Sequence, residues 1–268
     1  MKLSALTRVS LRTVALAYLF VLLLLPLIII LWRTFEKGIG AFVDSISTPA
    51  AISAFQLSLL IVAITVPVNV IFGIVTAIAL VRGKFPGRNL VQGIVDLPFA
   101  VSPVVVGVAL ILLWGVDGWF GGLEDLGIKV IFNLPGMVIA TIFVTLPFVV
   151  REVEPVLHEI GDDQEQAAAT LGASRWQTFW RITLPAIRWG LTYGIVLTVA
   201  RALGEFGAVI MVSSALPGKS LTLTLLVHNR YINDHNTFGA YSAATLLMGL
   251  ALVTLLLMTL LERKRATK

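Results

Sequence analysis

The sequence predicts an all-α membrane protein, a polytopic transmembrane helical bundle of about six spans in a single domain covering residues 1–268. Hydrophobic residues make up 57% of the chain and charged residues only 13%, whereas soluble domains average about 45–50% apolar and about 25% charged residues. The apolar residues are gathered in six long stretches that polar segments separate. A bundle surrounded by lipid explains this composition, and a soluble fold would not need so much apolar surface.

The six apolar stretches are each 17–25 residues long, which is the length that an α-helix needs to cross about 30 Å of hydrocarbon. Lipid offers no hydrogen-bond partners, so each spanning segment must satisfy its own backbone as a helix. β-Barrel strands would be shorter and would alternate polar with apolar side chains. We therefore expect spans at 14–31, 57–81, 90–114, 134–150, 191–212 and 240–261.

The distribution of Lys and Arg predicts the orientation, because cytoplasmic loops of membrane proteins are enriched in both. Of the 20 Lys and Arg residues, fourteen lie at the termini and in the second and fourth loops, five lie in the other loops, and Arg201 lies inside a span. This bias places both termini, which include Lys2 and Lys268, and the fourth loop in the cytoplasm. It also accounts for the net charge of +5, so nucleic-acid binding is not expected.

The fourth loop, residues 151–190, is the longest and predicts a helix–turn–helix element. Its first part begins with acidic residues, continues through alanines and stops at Gly172, as a short helix with a C-terminal glycine does. Ser174 is a good N-cap for a second helix, and Pro185 lies near the end of that helix. Aromatic residues such as Trp176 and Trp180 indicate either a docking site for another protein or an amphipathic hairpin on the membrane surface.

The spacing within this loop resembles the signature of permease subunits of bacterial ATP-binding-cassette importers. That signature reads Glu-Ala-Ala, three residues, Gly, nine residues, Ile, one residue, Leu-Pro. Six positions match it in register: Ala167, Ala168, Gly172, Ile182, Leu184 and Pro185. Gln166 stands at the position of the Glu, and Glu165 lies one residue earlier. The resemblance implies that these eight residues couple the chain to a separate ATPase subunit through a helix that sits in a groove of that subunit.

Further segments are similar to the sulfate/thiosulfate permease subunits, and in particular to the W-type partner of the T/W heterodimer. These segments are 97–99, 102–105, 148–152, 184–189 and 202–209. The segment 203–208 also resembles molybdate and tungstate permeases. The resemblance implies that the chain forms half of the pore of an ATP-driven importer for sulfate, thiosulfate or another tetrahedral oxyanion.

The resemblance also implies partners and a location. A second, similar permease would complete the pore as a heterodimer, two ATPase subunits would bind on the cytoplasmic side, and an extracytoplasmic sulfate-binding protein would deliver the anion. The assembly would lie in the bacterial plasma (inner) membrane. The chain would be no enzyme by itself and would hold no cofactor, because ATP with Mg²⁺ would bind in the partner ATPase.

Charged residues and prolines inside the expected spans mark candidate residues of the translocation path. Arg201 and Glu205 lie four residues apart and so share one face of a helix, and a charge at this depth must be paired or face water. They form either a structural ion pair or a pore lining in which Arg201 attracts a dianion. Asp96, Pro98 and Pro103 interrupt the third span, where Ser102 offers a hydroxyl, and prolines kink helices. That segment is therefore either a bend beside the path or an ordinary irregularity.

Other functions lack the residues that they need. The chain has no cysteine and three histidines, so neither a disulfide nor a metal site is expected. Gly218-Lys219-Ser220 lacks the first glycine of a phosphate-binding loop, so no nucleotide site is expected. A secondary transporter, the alternative closest to an importer subunit, would need internal repeats and its own ion-coupling site. An intramembrane enzyme would need a catalytic pair at depth, and the sequence shows neither set of features.

Overall fold

The computed structural model describes residues 5–266, so Lys2 and Lys268, which the orientation prediction counts, lie outside the described residues. Within this range, five helical segments are long and apolar enough to cross a membrane, and a bent pair of helices is the sixth candidate. The five are Ser10–Phe35, Pro49–Arg82, Leu134–Ile160, Arg175–Leu203 and Thr237–Leu257. No strand occurs in the described part of the chain. The prediction of an all-α transmembrane bundle of about six spans is confirmed.

The spans are built from helices that follow one another closely. Within residues 5–266 the α-helices are α1 (Ala5–Leu19), α2 (Leu25–Phe35), α3 (Gly38–Ile46), α4 (Pro49–Arg82), α5 (Arg88–Ala100), α6 (Pro103–Trp114), α7 (Gly122–Asp125), α8 (Leu134–Ile160), α9 (Asp163–Thr170), α10 (Arg175–Thr178), α11 (Leu184–Leu203), α12 (Gly207–Val212), α13 (Leu223–His228) and α14 (Thr237–Ala266). Three π-helical turns join some of them: Phe20–Leu24, Phe179–Thr183 and Asn229–Asn233.

Two of the π-helical turns lie directly before a Leu-Pro pair. The turn Phe20–Leu24 precedes Pro26, and the turn Phe179–Thr183 precedes Pro185. Proline has no N–H to donate, and its ring clashes with the preceding turn of an α-helix. A wider turn accommodates the ring, so the helix continues. The helix that begins at Arg175 therefore passes through Pro185 into a span, whereas the sequence indicated that it ends near this proline.

The third expected span, 90–114, is not a straight helix. α5 and α6 are separated by two residues and meet at a bend of 113°. Pro103 causes the break, because proline removes a backbone donor and pushes the preceding residue out of the α region. Val101 and Ser102 accordingly have extended backbones, with ψ of 135° and 133°. This segment is a broken or re-entrant span.

The fifth expected span, 191–212, is displaced towards the N-terminus. The observed spanning helix covers Arg175–Leu203, and a break at 204–206 separates it from the short α12. The break is stabilised by Glu205, whose Oε1 accepts a hydrogen bond from the N–H of Ala208 at 2.7 Å and so caps α12. The expected loop 151–190 is shorter in the structure, because α8 runs on to Ile160 and the next helix already begins at Arg175.

The centre of the bundle is formed by α4, α8 and α11. Glycines bring these helices close together: a Cβ on Gly73 would lie 2.6 Å from Cγ1 of Val149, and one on Gly190 would lie 2.5 Å from the carbonyl oxygen of Glu152. Small residues at helix crossings are typical of membrane bundles. This packing fixes the positions at which α4, α8 and α11 meet the fourth loop.

Candidate functional site

The fourth loop folds into a helix–glycine–helix arrangement between α8 and α11, and residues 162–183 are named the docking element. α9 is followed by Gly172, whose φ of +82° lies in the region that favours glycine. Ser174 then caps α10, because its hydroxyl accepts a hydrogen bond from the N–H of Gln177 while the Gln177 side chain accepts one from the N–H of Ser174. This reciprocal capping satisfies two backbone N–H groups and defines where the second helix begins.

The docking element exposes a group of large apolar side chains. Leu171 is 89% exposed, Trp176 is 70% exposed and Trp180 is 50% exposed. The ring centroids of Trp176 and Trp180 lie 5.5 Å apart, and those of Phe179 and Trp180 lie 5.4 Å apart, both in edge-to-face geometry. Such contacts hold aromatic rings in place. A preformed aromatic patch of this kind has the character of a protein-docking surface.

The residues of the importer signature divide into two groups. Three are exposed on the docking element: Gln166, Ala167 and Gly172. Ala168, in contrast, faces the protein and is buried. Three others belong to the helix that continues into the span: Ile182, Leu184 and Pro185. Leu184 packs against the apolar core formed by α4 and α8. The first half of the signature therefore supplies surface, and the second half fastens the following helix to the bundle.

Glu165 is not part of the exposed surface. Its Oε2 accepts a hydrogen bond from Nε of Arg82 at 3.0 Å, and its Oε1 accepts one from Oγ1 of Thr183 at 2.8 Å. The sequence grouped Glu165 with Gln166 as coupling residues, but consecutive residues of a helix point about 100° apart. Gln166 is exposed, and the carboxylate of Glu165 is bound within the chain.

Arg201 and Glu205 form an ion pair at the end of α11. Nη1 of Arg201 lies 2.6 Å from Oε2 of Glu205, at an angle that does not make a hydrogen bond. The Glu205 side chain is 1% exposed and the Arg201 side chain is 33% exposed. One carboxylate oxygen of Glu205 caps α12 and the other lies against Arg201, so the carboxylate is turned inward, whereas part of the Arg201 guanidinium stays open.

The two breaks in the membrane helices pack against each other. A Cβ on Gly207 would lie 3.0 Å from Cβ of Pro103, and one on Gly107 would lie 2.5 Å from Cβ of Met211. The start of α12 therefore lies against the start of α6, which brings together segments that are a hundred residues apart in the sequence. Ser102, at the start of α6, is exposed, and its side chain makes no capping hydrogen bond.

Asp96 on α5 is paired with Arg151 on α8. Nη2 of Arg151 lies 2.8 Å from Oδ1 of Asp96, and the guanidinium carbon lies 5.5 Å from the ring centroid of Phe99. The sequence assigned Arg151 to the fourth loop, but α8 continues through it to Ile160. Among the described residues, no hydrogen bond or ion pair connects this pair to the pair at the end of α11.

A cavity of about 750 Å³ lies beside Gly204 and Phe206. It is lined mainly by apolar side chains of α11, α13 and α14, with Leu27 from α2, and neither Arg201 nor Glu205 lines it. An oxyanion would lose its hydration in this cavity without gaining a counter-charge. The cavity is therefore unsuitable as an oxyanion site.

Sequence reasoning missed three residues that organise these sites: Arg82, Thr183 and Arg151. In the sequence, Arg82 counts only as a topological charge, and Arg151 counts as one within the similar segment 148–152. Their pairing is hidden because the partners Glu165 and Asp96 lie 83 and 55 positions away. Thr183 lies inside the importer signature but is not one of its fixed positions. No local pattern marks such contacts, since they depend on how the helices pack.

Arg230, between α13 and α14, is a further residue whose role the sequence did not reveal. It is buried, and its guanidinium donates hydrogen bonds to the carbonyl oxygens of Ser45 at 3.0 Å and Gly239 at 2.9 Å. Burial lowers the pKa of Arg230, and the neighbouring carboxylate of Asp234 partly offsets that effect. Arg230 thus ties the segment between α13 and α14 to the end of α3, and does not mark topology alone.

The chain matches the family described as binding-protein-dependent transport system inner membrane component over residues 69–267. This range contains the docking element and both helix breaks. The matched range also contains both partners of the ion pairs Arg82–Glu165, Asp96–Arg151 and Arg201–Glu205.

Two relatives are similar over nearly the whole chain. The sulfate transport system permease protein CysW of Synechocystis sp. is 50% identical over 251 residues, which are 93% of this chain and 91% of that protein. The protein of the same name from Escherichia coli strain K12 is 46% identical over 242 residues, which are 90% of this chain and 83% of that protein.

Among solved structures, the fold is similar to a membrane chain of a bacterial alginate ABC transporter, crystallised with a periplasmic protein that holds an alginate pentasaccharide. The TM-score is 0.78 at 18% identity, and the match covers 96% of this chain and 94% of that chain. At this low identity the similarity concerns the fold.

Proposed function

The chain belongs to the family of inner membrane components of binding-protein-dependent transport systems, and we propose that it is a membrane-spanning permease subunit of an ATP-driven sulfate importer. It is not catalytic by itself, because the ATPase of such a system is a separate subunit. The observation that carries the proposal is the 46–50% identity to CysW proteins over at least 90% of the chain. The range matched by the family, residues 69–267, contains the docking element and both helix breaks.

The partners follow in part from the family. A member of this family works with an ATPase and with a binding protein. We further propose that the chain pairs with a second, similar permease as a heterodimer, that two copies of the ATPase bind to the pair, and that the binding protein is specific for sulfate. ATP with Mg²⁺ would bind in the ATPase, and this chain would hold no cofactor.

The location is the inner membrane, which the chain crosses several times. We propose that both termini and the docking element lie in the cytoplasm. The excess of Lys and Arg on that side supports this orientation. The docking element must also face the compartment that contains ATP, because it is the surface that would meet the ATPase.

The docking element is the proposed contact with the ATPase. Gln166, Ala167 and Gly172 supply its small exposed surface, and the patch around Trp176 supplies an aromatic anchor. Ala168 supports this surface from beneath. The glutamine at position 166 would meet the ATPase through a neutral hydrogen bond, whereas other permeases with this signature carry a glutamate there. In the alternative interpretation, the docking element is an amphipathic hairpin whose aromatic patch lies on the lipid headgroups.

The translocation path is proposed to run beside the two adjoining helix breaks. Arg201 is the residue proposed to attract a dianion, because part of its guanidinium is exposed while Glu205 holds the side chain in position. Glu205 carries a negative charge and is bound internally, so it positions Arg201 and does not contact sulfate. Ser102 offers a hydroxyl at the neighbouring break, and the Asp96–Arg151 pair fixes α5 on α8.

Reconstitution of the chain with its partners tests the proposal. The permease pair, the ATPase and the binding protein are placed in vesicles that contain ATP, and uptake of radiolabelled sulfate is measured. We expect uptake that requires ATP and the binding protein, and that unlabelled sulfate competes away. Unlabelled thiosulfate, molybdate and tungstate, added separately, rank the alternative substrates.

Two results would contradict the proposal in different ways. ATP-dependent uptake of radiolabelled molybdate or tungstate, with no uptake of radiolabelled sulfate, would assign the chain to another oxyanion importer. Sulfate uptake by this chain without ATP or partners would identify a secondary transporter.

A further inference from the structure

Four chain segments meet at the ion pair between Arg82 and Glu165. Arg82 is the last residue of α4, and Glu165 lies in the first turn of α9. Besides its bond to Glu165, Arg82 donates through Nη1 to the carbonyl oxygen of Leu157 at 3.1 Å and through Nη2 to that of Gly161, both at the end of α8. Thr183, directly before α11, binds the second carboxylate oxygen at 2.8 Å. Arg82, Glu165 and Thr183 are named the joint.

The joint is well satisfied and partly shielded from water. All three groups of the guanidinium find acceptors, and both carboxylate oxygens find donors. The Arg82 and Glu165 side chains are 20% and 23% exposed, and Thr183 is buried. Charge-assisted hydrogen bonds in such surroundings are stronger than those of an exposed pair. A lysine could keep the charge at position 82 but could not replace the planar fork that binds three acceptors.

The joint is also the main attachment of α9. This helix has eight residues, and Ala168 is its single buried residue. Isolated helices of this length are not stable in water. Among the described residues, no other ion pair or side-chain hydrogen bond links α9 to the membrane spans. Without the joint, α9 could pivot on its flanking turns.

We propose that the joint transmits movement of the docking element to α4, α8 and α11, and that Arg82 and Glu165 are positioning residues for the coupling of ATP hydrolysis to transport. An ATPase that displaces α9 can move the spans only if α9 does not swing freely at its base. Glu165 binds Arg82 at the end of α4 and Thr183 at the start of α11, and Arg82 also binds the end of α8. A displacement of α9 therefore acts on the three central helices together. This inference rests on the proposed function.

The first experiment measures coupling in the complete reconstituted transporter. The variants are Arg82→Ala, Glu165→Ala and both together, and the readout is the amount of sulfate taken up per ATP hydrolysed. We expect this ratio to fall about fivefold or more in each single variant, within the range that residues in a coupling network show. The double variant should be no worse than the single variants, because both remove the same contact.

Two further variants make this experiment specific. Arg82→Lys keeps the charge but loses the fork, and we expect an intermediate ratio. Lys84→Gln is the matched control, since Lys84 is exposed and makes no hydrogen bond or ion pair in the described structure, and its ratio should equal that of the unchanged protein. An unchanged ratio in the Arg82 and Glu165 variants would overturn the proposal. So would loss of the ATPase from the complex, since that would assign the joint to docking.

The second experiment does not depend on the substrate. The chain has no cysteine, so spin labels can be attached at Lys84→Cys, two residues beyond the end of α4, and at Gln164→Cys on α9. We expect one narrow distance distribution with and without ATP, and a broad one after Arg82→Ala. An equally narrow distribution in Arg82→Ala would overturn the proposed role of the joint, whichever substrate the transporter carries. If the unchanged complex fails to take up sulfate while the distances behave as expected, the substrate assignment fails and the joint stands.

Discussion

An Arg–Glu ion pair lies near each end of α11, and the surroundings of the two pairs differ. At its start, Arg82 binds Glu165 across 83 positions of sequence. Thr183 is a further partner of Glu165, and two carbonyl oxygens at the end of α8 and just beyond it are further partners of Arg82. At its end, Glu205 is bound by Arg201 from one helical turn away. The first pair ties several helices together, whereas the second fixes the shape of a single helix break. Identical side chains thus serve attachment in one region and charge compensation in the other.

Burial explains this difference. The Glu165 side chain is 23% exposed and the Glu205 side chain is 1% exposed. If the pair at the docking element is broken, water can replace the lost partner, so the consequence is mainly mechanical. If Arg201 is removed at the other end, the charge of Glu205 stays in a region of low dielectric constant, and if Glu205 is removed, the cap of α12 is lost together with the counter-charge of Arg201. The two regions should therefore respond to mutation in different observables.

The largest effect on stability is expected for Glu205→Ala. This change leaves Arg201 without its counter-charge and removes the cap of α12, and breaking a buried pair destabilises a protein by about 3–5 kcal/mol. Because the Arg201 side chain is 33% exposed, we expect a value of about 3 kcal/mol, at the lower end of that range. The measurement is thermal or denaturant unfolding of the purified protein in detergent.

Glu205→Gln is the matched control for that variant. A glutamine oxygen can still accept the hydrogen bond from the N–H of Ala208, so the cap survives and only the charge is lost. We expect the stability of Glu205→Gln to lie between that of the unchanged protein and that of Glu205→Ala. Equal stability of all three proteins would mean that Arg201 finds enough water to stand alone, and the contrast between the two regions would disappear.

The next largest effect is expected at the docking element and concerns binding. Trp176→Ala removes the most exposed ring of the aromatic patch, and truncating an interface anchor costs about 2 kcal/mol or more, which is about a 30-fold weaker association. Trp176 is 70% exposed, so the stability of the isolated chain should hardly change. The measurement is the affinity of the reconstituted chain for its ATPase.

The matched control for Trp176→Ala is Trp119→Ala. Trp119 is 89% exposed and lies in the loop between α6 and α7, far along the chain from the docking element. Its removal should leave ATPase binding unchanged. If both variants bind the ATPase as tightly as the unchanged protein, the patch faces lipid headgroups and the hairpin interpretation of the fourth loop is correct.

A neutral double variant sharpens the comparison at the end of α11. In Arg201→Gln with Glu205→Gln, no unpaired charge remains, so much of the stability lost in Glu205→Ala should return. If Arg201 attracts the dianion, sulfate uptake should still fall about tenfold or more, which corresponds to about 1.4 kcal/mol. Normal uptake by a stable double variant would show that the pair is purely structural.

The same contrast explains how much the sequence could predict. Arg201 and Glu205 are four residues apart, and helical periodicity alone places them on one face, so this pair was accessible from the sequence. The Arg82–Glu165 pair was not, because it depends on how α4, α8 and the fourth loop pack. The importer signature drew attention to the fourth loop, but its spacing could not tell that Glu165 faces inward and Gln166 outward.

The predicted ends of the spans were inaccurate for a different physical reason. Hydropathy located the apolar segments, but it averages over the residues that break a helix. The bend at Ser102 follows from Pro103, which the sequence did mark as an interruption. The end of α11 at Leu203 does not, because Gly204 and Glu205 lie in an apolar segment that reads as continuous. Pro185 misled in the opposite direction, since a π-helical turn lets the helix pass through it.

The smallest effect is expected for Asp96→Asn, and it tests whether long-range pairing alone defines a joint. The Asp96–Arg151 pair also connects two helices that are distant in sequence, but its side chains are 32% and 52% exposed, and exposed pairs contribute about 0–1 kcal/mol. Arg151 can also stay on the ring of Phe99 when the carboxylate is gone. We therefore expect stability to change by less than about 1 kcal/mol, more at low salt than at high salt, and sulfate uptake to remain within about twofold. Glu124→Gln, which removes the exposed pair with Lys129 outside the long spans, is the matched control. A tenfold loss of uptake in Asp96→Asn alone would place Asp96 in the translocation path and would show that exposure does not separate the working pairs of this protein from the incidental ones.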